Sequence, residues 1–195
     1  MAKIINLPEP NRSGLIPLEQ AIASRRSRRS FLSKTLTVEQ IGQLAWAAQG
    51  QDAQSGYRTV PSAGATYPLE LFVVTGDGLY HYLPAKHSLE QLGNEDLRAK
   101  LSLAALGQDF IKAAPLTLVF AAQFSRTTGR YGQRGIRYVY MEAGHAAQNV
   151  HLQAEALGLG SVAVGAFDDA SVRKVLALPG HLEPLYMVVI GHFSA

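Results

Sequence analysis

Leu69-Glu70-Leu71-Phe72-Val73-Val74-Thr75-Gly76-Asp77-Gly78-Leu79-Tyr80-His81-Tyr82-Leu83 decides the fold class. Two alternating apolar runs flank Gly76-Asp77-Gly78, and such a break between two strand-forming runs marks an antiparallel hairpin. Further strands are expected at 115–122, 160–165 and 184–191, where apolar residues run almost unbroken. Elsewhere the apolar spacing turns helical. Pro17 opens a helix to about Ser24, and Thr37 with Gln40 forms a capping box for a second helix that Gly50 stops. Residues 94–106 read as a helix ended by Gly107, and 169–178 as a short one capped by Asp168 or Asp169. The longest helix spans 137–157, with Val139, Ala143, Ala146, Ala147, Val150, Ala154 and Leu157 in helical register. Its small-residue face (Ala143, Gly144, Ala146, Ala147) suits either a close helix–helix contact between subunits or ordinary core packing. Strands and helices mixed around a hairpin give an α+β fold.

With 47% hydrophobic and 17% charged residues, this chain of 195 can bury a core. The reading is a single domain over 16–195 behind an irregular arm, 1–15, marked by Pro8, Pro10 and Gly14. The absence of cysteine excludes a disulfide framework, a thiolate metal site and a cysteine nucleophile. His145 and His151 fall on different sides of a helix and no His-x-x-x-His pair occurs, so no metal is expected. No apolar run reaches the ~18 residues that span a bilayer, so no membrane partner is expected either. Ser27-Arg28-Arg29-Ser30-Phe31-Leu32 looks like a twin-arginine export signal. The polar Ser33-Lys34-Thr35 that follows is not the apolar stretch such a signal needs, so the expected location is cytoplasmic.

The net charge of +3 is unevenly spread. Four arginines lie within 25–29, and four more are Arg126, Arg130, Arg134 and Arg137; removing these eight from the 18 cations leaves 10 against 15 acids. Cationic character in two discrete places suits a discrete anion, with a nucleic-acid tract as the competing reading. No aromatic platform is interleaved with the arginines, so no nucleic-acid partner is expected.

Three constellations carry chemistry. Ser24-Arg25-Arg26-Ser27-Arg28-Arg29-Ser30-Phe31 sets four guanidiniums and three hydroxyls at a helix end, a set suited to a phosphate dianion, although a solvated basic segment has the same composition. Pro61-Ser62-Ala63-Gly64-Ala65-Thr66-Tyr67-Pro68 is a stiff loop of small residues able to touch a planar ligand, or simply a tight turn. Gly158-Leu159-Gly160-Ser161 leads through a strand to Gly165-Ala166, whose N–H groups precede a helix and can face an acceptor. No Rossmann fingerprint, P-loop or nucleophile elbow is present. The arginine- and glycine-rich stretch 125–136 reads as a loop at the mouth of a cleft.

Together these sets resemble the nitroreductase-like FMN flavoprotein family over about residues 16–193. Leu79-Tyr80-His81-Tyr82, Gly107-Gln108 and Arg137-Tyr138 through Glu142-Ala143-Gly144-His145-Ala146-Ala147-Gln148-Asn149 resemble the branch with the azoline oxidases of thiazole/oxazole peptide biosynthesis. The resemblance implies a central, mostly antiparallel sheet flanked by helices, in an intertwined homodimer with FMN at the subunit interface. It implies cofactor contacts from Arg25, Arg26, Ser27 and Arg29, from Pro61, Ser62 and Ala63 of the partner's loop, and from Gln108, Gly165 and Ala166. The flavin carries the hydride, so no catalytic side chain is required.

The expected activity is NADH- or NADPH-dependent, ping-pong reduction of a small acceptor such as a nitroaromatic or quinone. The alternatives are dehydrogenation of a peptide heterocycle and flavin binding without NAD(P)H turnover. Two departures from the family pattern bear on this. Many members extend beyond the last strand into a basic arm that reaches the phosphate, whereas this chain stops at Ala195, so Arg25 and Arg29, or the 1–15 arm, are expected to do more. Azoline-oxidising members place a Lys-Tyr pair where this chain has Arg130-Tyr131, and arginine is a poor proton acceptor. Arg130 and Tyr131 are therefore expected to bind substrate, with Arg130 attracting an anionic nucleotide.

Overall fold

The computed structural model describes residues 3–194. The strands are β1 (Ile4–Asn6), β2 (Leu69–Thr75), β3 (Gly78–Leu83), β4 (Ser88–Gly93), β5 (Leu116–Ala122), β6 (Gly160–Val164) and β7 (Glu183–Gly191). They form one seven-stranded sheet in the order β1-β4-β3-β2-β5-β7-β6, with every ladder antiparallel. The helices are α1 (Leu18–Ser24), α2 (Val38–Gln49), α3 (Arg98–Ala104), α4 (Asp109–Ala113), α5 (Phe124–Tyr131), α6 (Arg134–Ala156) and α7 (Asp169–Val175). The α+β fold expected from the hairpin is the fold observed.

The sheet is a partition between two cores. Leu71, Val73, Leu118 and Phe120 face the alanine-rich side of α6 and α2. Phe72, Val74, Val119 and Ala121 face the other way, against Leu101 of α3, Ile111 of α4 and Val172 of α7. Burial on both faces is why β5 reads as continuous apolar sequence rather than as an alternation. Ala143, Ala146 and Ala147 are almost wholly buried in the chain's own core. Core packing is therefore their role, and only Gly144 of that small-residue set is exposed. The capping box of α2 is present, with Gln40 N donating to Thr37 Oγ1 and Thr37 N donating to Gln40 Oε1 at 3.0 Å.

Three expectations need correction. The 125–136 stretch is not a loop: α5 occupies its first half, Gly132 (φ 56°) breaks the chain, and α6 begins at Arg134. Arginine favours helix, and Gly135 lets α6 pack against the backbone of Thr127 and Thr128. The 1–15 arm is not wholly irregular, since β1 pairs with β4. His87 Nε2 also meets Pro8 O at 2.9 Å, and Gln43 bonds both the N–H and the carbonyl of Asn11. Strand β4, a polar segment with no pattern of its own, is built by pairing with β3 and β1. Helix α3 starts at Arg98 rather than at 94, because Asp96 Oδ1 accepts the Arg98 N–H at 3.1 Å. No helix among the described residues is long and apolar enough to cross a membrane.

Candidate active site

The arginine cluster is placed by the end of α1. Arg25 N donates to Ala21 O at 3.1 Å, and the chain then runs along the edge strand β6. Ser27 bridges Ser161 in parallel and Arg28 N donates to Ser161 O at 2.9 Å. A Cβ on Gly160 would lie 2.9 Å from Arg28 Cβ, so glycine is what lets this segment approach the strand. Arg28 spreads over the Phe193 ring at 4.3 Å. Arg26 Nη1 donates to Ala23 O and Arg25 O, both at 2.8 Å, and so caps the helix. Arg25 and Arg29 differ from these two. Among the described residues neither guanidinium has a hydrogen-bond or ion-pair partner.

Behind β6, His151 Nδ1 and Ser161 Oγ share a buried hydrogen bond of 2.7 Å. Burial, with the Arg25 cation nearby, pushes His151 down from the usual 6.5 to about 4, so it is neutral at pH 7. The unfolded chain binds this proton below about pH 6.5 while the folded chain resists it. The stabilisation is therefore complete above pH 6.5 and is lost as pH falls towards 4, on the order of 3 kcal/mol. We expect His151→Asn to flatten this acid limb; identical losses of the urea midpoint between pH 7 and pH 4.5 in both proteins would remove His151 as its source.

At its far end β6 delivers Gly165 and Ala166 to the surface. Among the described residues no other backbone group takes up their N–H groups. The Gln108 amide donates to Ala105 O at 2.8 Å and to Ala166 O at 2.9 Å. Gln108 and Ala166 are thus brought together, and both amide hydrogens are engaged, which leaves the Gln108 oxygen for a ligand.

The second group surrounds the 61–67 turn. Gly64, Ala65 and Tyr67 have φ of 59°, 53° and 45°. Left-handed non-glycine residues cost about 1 kcal/mol or more each and persist only where the surroundings enforce them. Here α5 does so: Arg130 Nη1 donates to Gly64 O at 3.1 Å, Arg126 Nη1 to Tyr67 O at 2.9 Å, and Thr127 Oγ1 meets Thr66 Oγ1 at 2.8 Å. Inside the turn, Tyr67 N donates to Ser62 Oγ at 2.9 Å. A Cβ on Gly64 would stand 2.6 Å from the Tyr131 hydroxyl, so Tyr131 and the turn are in direct contact. Beneath lies a partly buried charge network. Glu70 pairs with Arg126 at 2.7 Å and with His81 at 2.8 Å, while Arg58 bonds Gln49 Oε1 and Leu69 O under the Tyr67 ring. Arg126 is therefore not a free rim cation, because its acid comes from β2; Arg130 serves to pin the turn.

The two groups do not meet within one chain. The arginine segment lies at the Gly160–Ser161 end of β6, level with Gly191, Leu116 and Thr75, whereas the 61–67 turn enters β2 at Leu69, at the opposite end beside Ala122 and Glu183, and β5 and β7 stand between the two strands. Among the described residues no hydrogen bond or ion pair joins Pro61–Ala63 to Arg25–Arg29. Sequence reading passed over Arg58, Glu70 and the His151–Ser161 pair, because each finds its partner in a different element of the fold and no local motif marks the pairing. Glu142 was legible in principle, since it falls on the buried face of α6 three residues after Val139.

A family model described as the Nitroreductase family matches residues 22–192, which contain both groups. The chain belongs to the nitroreductase family. A protein of Methanocaldococcus jannaschii described as a putative nitroreductase is 46% identical over 182 residues, covering 90% of this chain and 91% of the other. The crystal structure of a putative nitroreductase from Ralstonia eutropha superposes with a TM-score of 0.89 at 34% identity, over 98% of this chain and 90% of that one. The microcin B17-processing protein of Escherichia coli is 29% identical over 153 residues, 73% of this chain and 56% of its own length, in line with the peptide-processing branch suggested by the motifs. Membership of the nitroreductase family makes the chain an FMN-dependent oxidoreductase.

Proposed function

We propose that this nitroreductase binds FMN between two copies of the chain and uses NADH or NADPH to reduce small acceptors such as nitroaromatics or quinones, in a ping-pong cycle in the cytoplasm. One observation carries the reading. The two unpartnered guanidiniums, Arg25 and Arg29, sit on a segment bonded to β6, the strand whose far end exposes the Gly165 and Ala166 N–H groups. Phosphate suits the former, and flavin ring acceptors suit the latter. FMN, when bound, supplies hydride acceptance and donation. Arg25 and Arg29 hold the phosphate, Ser27 and the Arg26 segment line the ribityl side, and the Gln108 oxygen faces the ring. Pro61, Ser62 and Ala63 of the second copy close the site, with Arg130 and Tyr131 at its mouth. The enforced shape of the 61–67 turn supports that role, since ordering it costs nothing further on binding.

The test is the absorbance spectrum of the purified protein, followed by anaerobic NADH or NADPH. Bleaching of a bound flavin is expected. A yellow protein that ignores both nucleotides sinks the reductase reading and selects flavin binding without turnover. A second reading, dehydrogenation of a peptide heterocycle, is favoured by the similarity to the microcin-processing protein. Against it, the Arg130 guanidinium offers only donors and gives one of them to Gly64 O, so it is no proton acceptor. Tyr131→Phe is accordingly expected to change quinone or nitroaromatic reduction less than about twofold, because no substrate proton is removed there. Loss of heterocycle oxidation in that variant, with flavin reduction intact, selects the second reading.

A further inference from the structure

Glu142 is the only carboxylate fully withdrawn from solvent among the described residues, at 3% exposure, and its Oε1 has no hydrogen-bond partner. It projects from the buried face of α6 towards the 58–67 segment, where the Ser62 hydroxyl and the Arg58 guanidinium are the groups that act on it. Arg58 is already committed to Gln49 Oε1, Leu69 O and the Tyr67 ring, so it contributes field rather than a direct bond. Ser62 is half committed. Its oxygen accepts the Tyr67 N–H at 2.9 Å, which leaves its O–H to be donated. A buried carboxylate oxygen without a donor is costly, and Ser62 is the donor at hand.

We propose that Glu142 is a positioning residue for the flavin-facing turn: its carboxylate takes the Ser62 O–H and, through Ser62 Oγ and the Tyr67 N–H, fixes Pro61–Tyr67 in the shape that meets FMN. The inference rests on the reading that this turn meets the flavin. It gives Glu142 a task that neither hydride transfer nor the phosphate contacts require.

The turn then responds to pH. Burial raises the Glu142 carboxyl to about 7, against the opposing pull of Ser62 and Arg58, so both forms are populated near neutrality. The ionised form only accepts and therefore orders Ser62 as donor to Glu142 and acceptor from Tyr67 N–H. The protonated form can donate to Ser62 Oγ and compete with Tyr67 for it. The charged and titratable groups around this point are Arg58 and Tyr67 in the loop, Glu70 on β2, Arg126 on α5 and, beyond Glu70, His81 on β3. Glu70 is held below the ordinary carboxylate range by His81 and Arg126 despite its burial, so it stays ionised across this window.

The test is FMN affinity, from flavin fluorescence titration of the full-length apoprotein between pH 6 and pH 8.5. FMN Kd for the unmodified chain is expected to rise as pH falls through 7. Glu142→Gln keeps the shape and an acceptor but not the titration, so the step should vanish; any titration of the FMN phosphate remains in both proteins and cancels. Glu142→Ala should weaken binding roughly tenfold at every pH. Ser62→Ala tests the underlying reading. If it leaves FMN Kd unchanged, the turn does not meet the flavin and the placement of the site fails. If Ser62→Ala weakens binding while Glu142→Gln keeps both the affinity and the pH step, the site stands and the role of Glu142 is overturned. Variants that lose only thermal stability, with Kd and pH profile unchanged, overturn it equally, and the near-isosteric Gln variant keeps the test open if the Ala variant fails to fold.

Discussion

Gly144→Arg is expected to leave a folded, colourless monomer. Gly144 lies on the exposed side of α6, nothing stands within 4 Å of where its Cβ would be, and arginine is a better helix former than glycine. The single chain should therefore tolerate it. The same face carries Tyr140 and Met141, about half exposed at 55% and 51%. Such residues suit the role of apolar anchors in the proposed interface with a second copy of the chain. The proposed site calls for a second copy because one chain holds Arg25 and Arg29 and its own 61–63 turn at opposite ends of the sheet, with β7 and β5 between their strands. An unpaired guanidinium buried across that interface should raise the dimer Kd about a hundredfold or more. On the proposed reading the flavin draws on both copies, so colour should leave with the dimer. Sedimentation with detection at both protein and flavin wavelengths decides the matter: a yellow Gly144→Arg dimer sinks the proposed interface. Ala147→Arg makes the contrast. That residue is 2% exposed within the chain's own core, so the variant should fail to fold rather than merely dissociate.

Arg25→Ala and Arg29→Ala should each weaken FMN by about 1.5–3 kcal/mol, roughly 10- to 150-fold, the loss of one charged hydrogen-bonding partner. The expectation differs along the cluster because the four arginines do different things. Arg26 caps α1 and Arg28 lies over Phe193, so their removal should cost stability more than affinity. Arg25 and Arg29 have no such partner among the described residues and are the ones available to phosphate. Riboflavin, which lacks the phosphate, should bind equally to the unmodified chain and to both variants. Unchanged FMN Kd in Arg25→Ala and Arg29→Ala, or an equal loss with riboflavin, would falsify their assignment to the phosphate.

Much of the architecture was legible because its signals are local. The capping box of α2, the hairpin around Gly76–Gly78 and the heavily apolar β5 each rest on neighbours in sequence. The pieces of the candidate site stand out for the same reason: a run of arginines, a Pro-Ser-Ala-Gly turn and a Gly-x-Gly strand are contiguous motifs. The α5 segment was misread because arginine and glycine describe a loop in composition, while Gly135 packing on Thr127 and Thr128 makes it half of a helical corner.

What each residue does within its motif was settled only by partners distant in the chain. Arg126 finds its acid at Glu70, and Arg130 finds a carbonyl at Gly64. The small-residue face of α6 shows the division most clearly. Sequence determined that one side of that helix is small enough for close approach; whether the sheet or another subunit makes the approach depends on how the helix is rotated about its axis. Burial of Ala143, Ala146 and Ala147 against α2 and the sheet fixes that rotation, and leaves Gly144 outside. Periodicity specifies a stripe, but only the completed core chooses what covers it, because hydrophobic burial has no direction of its own.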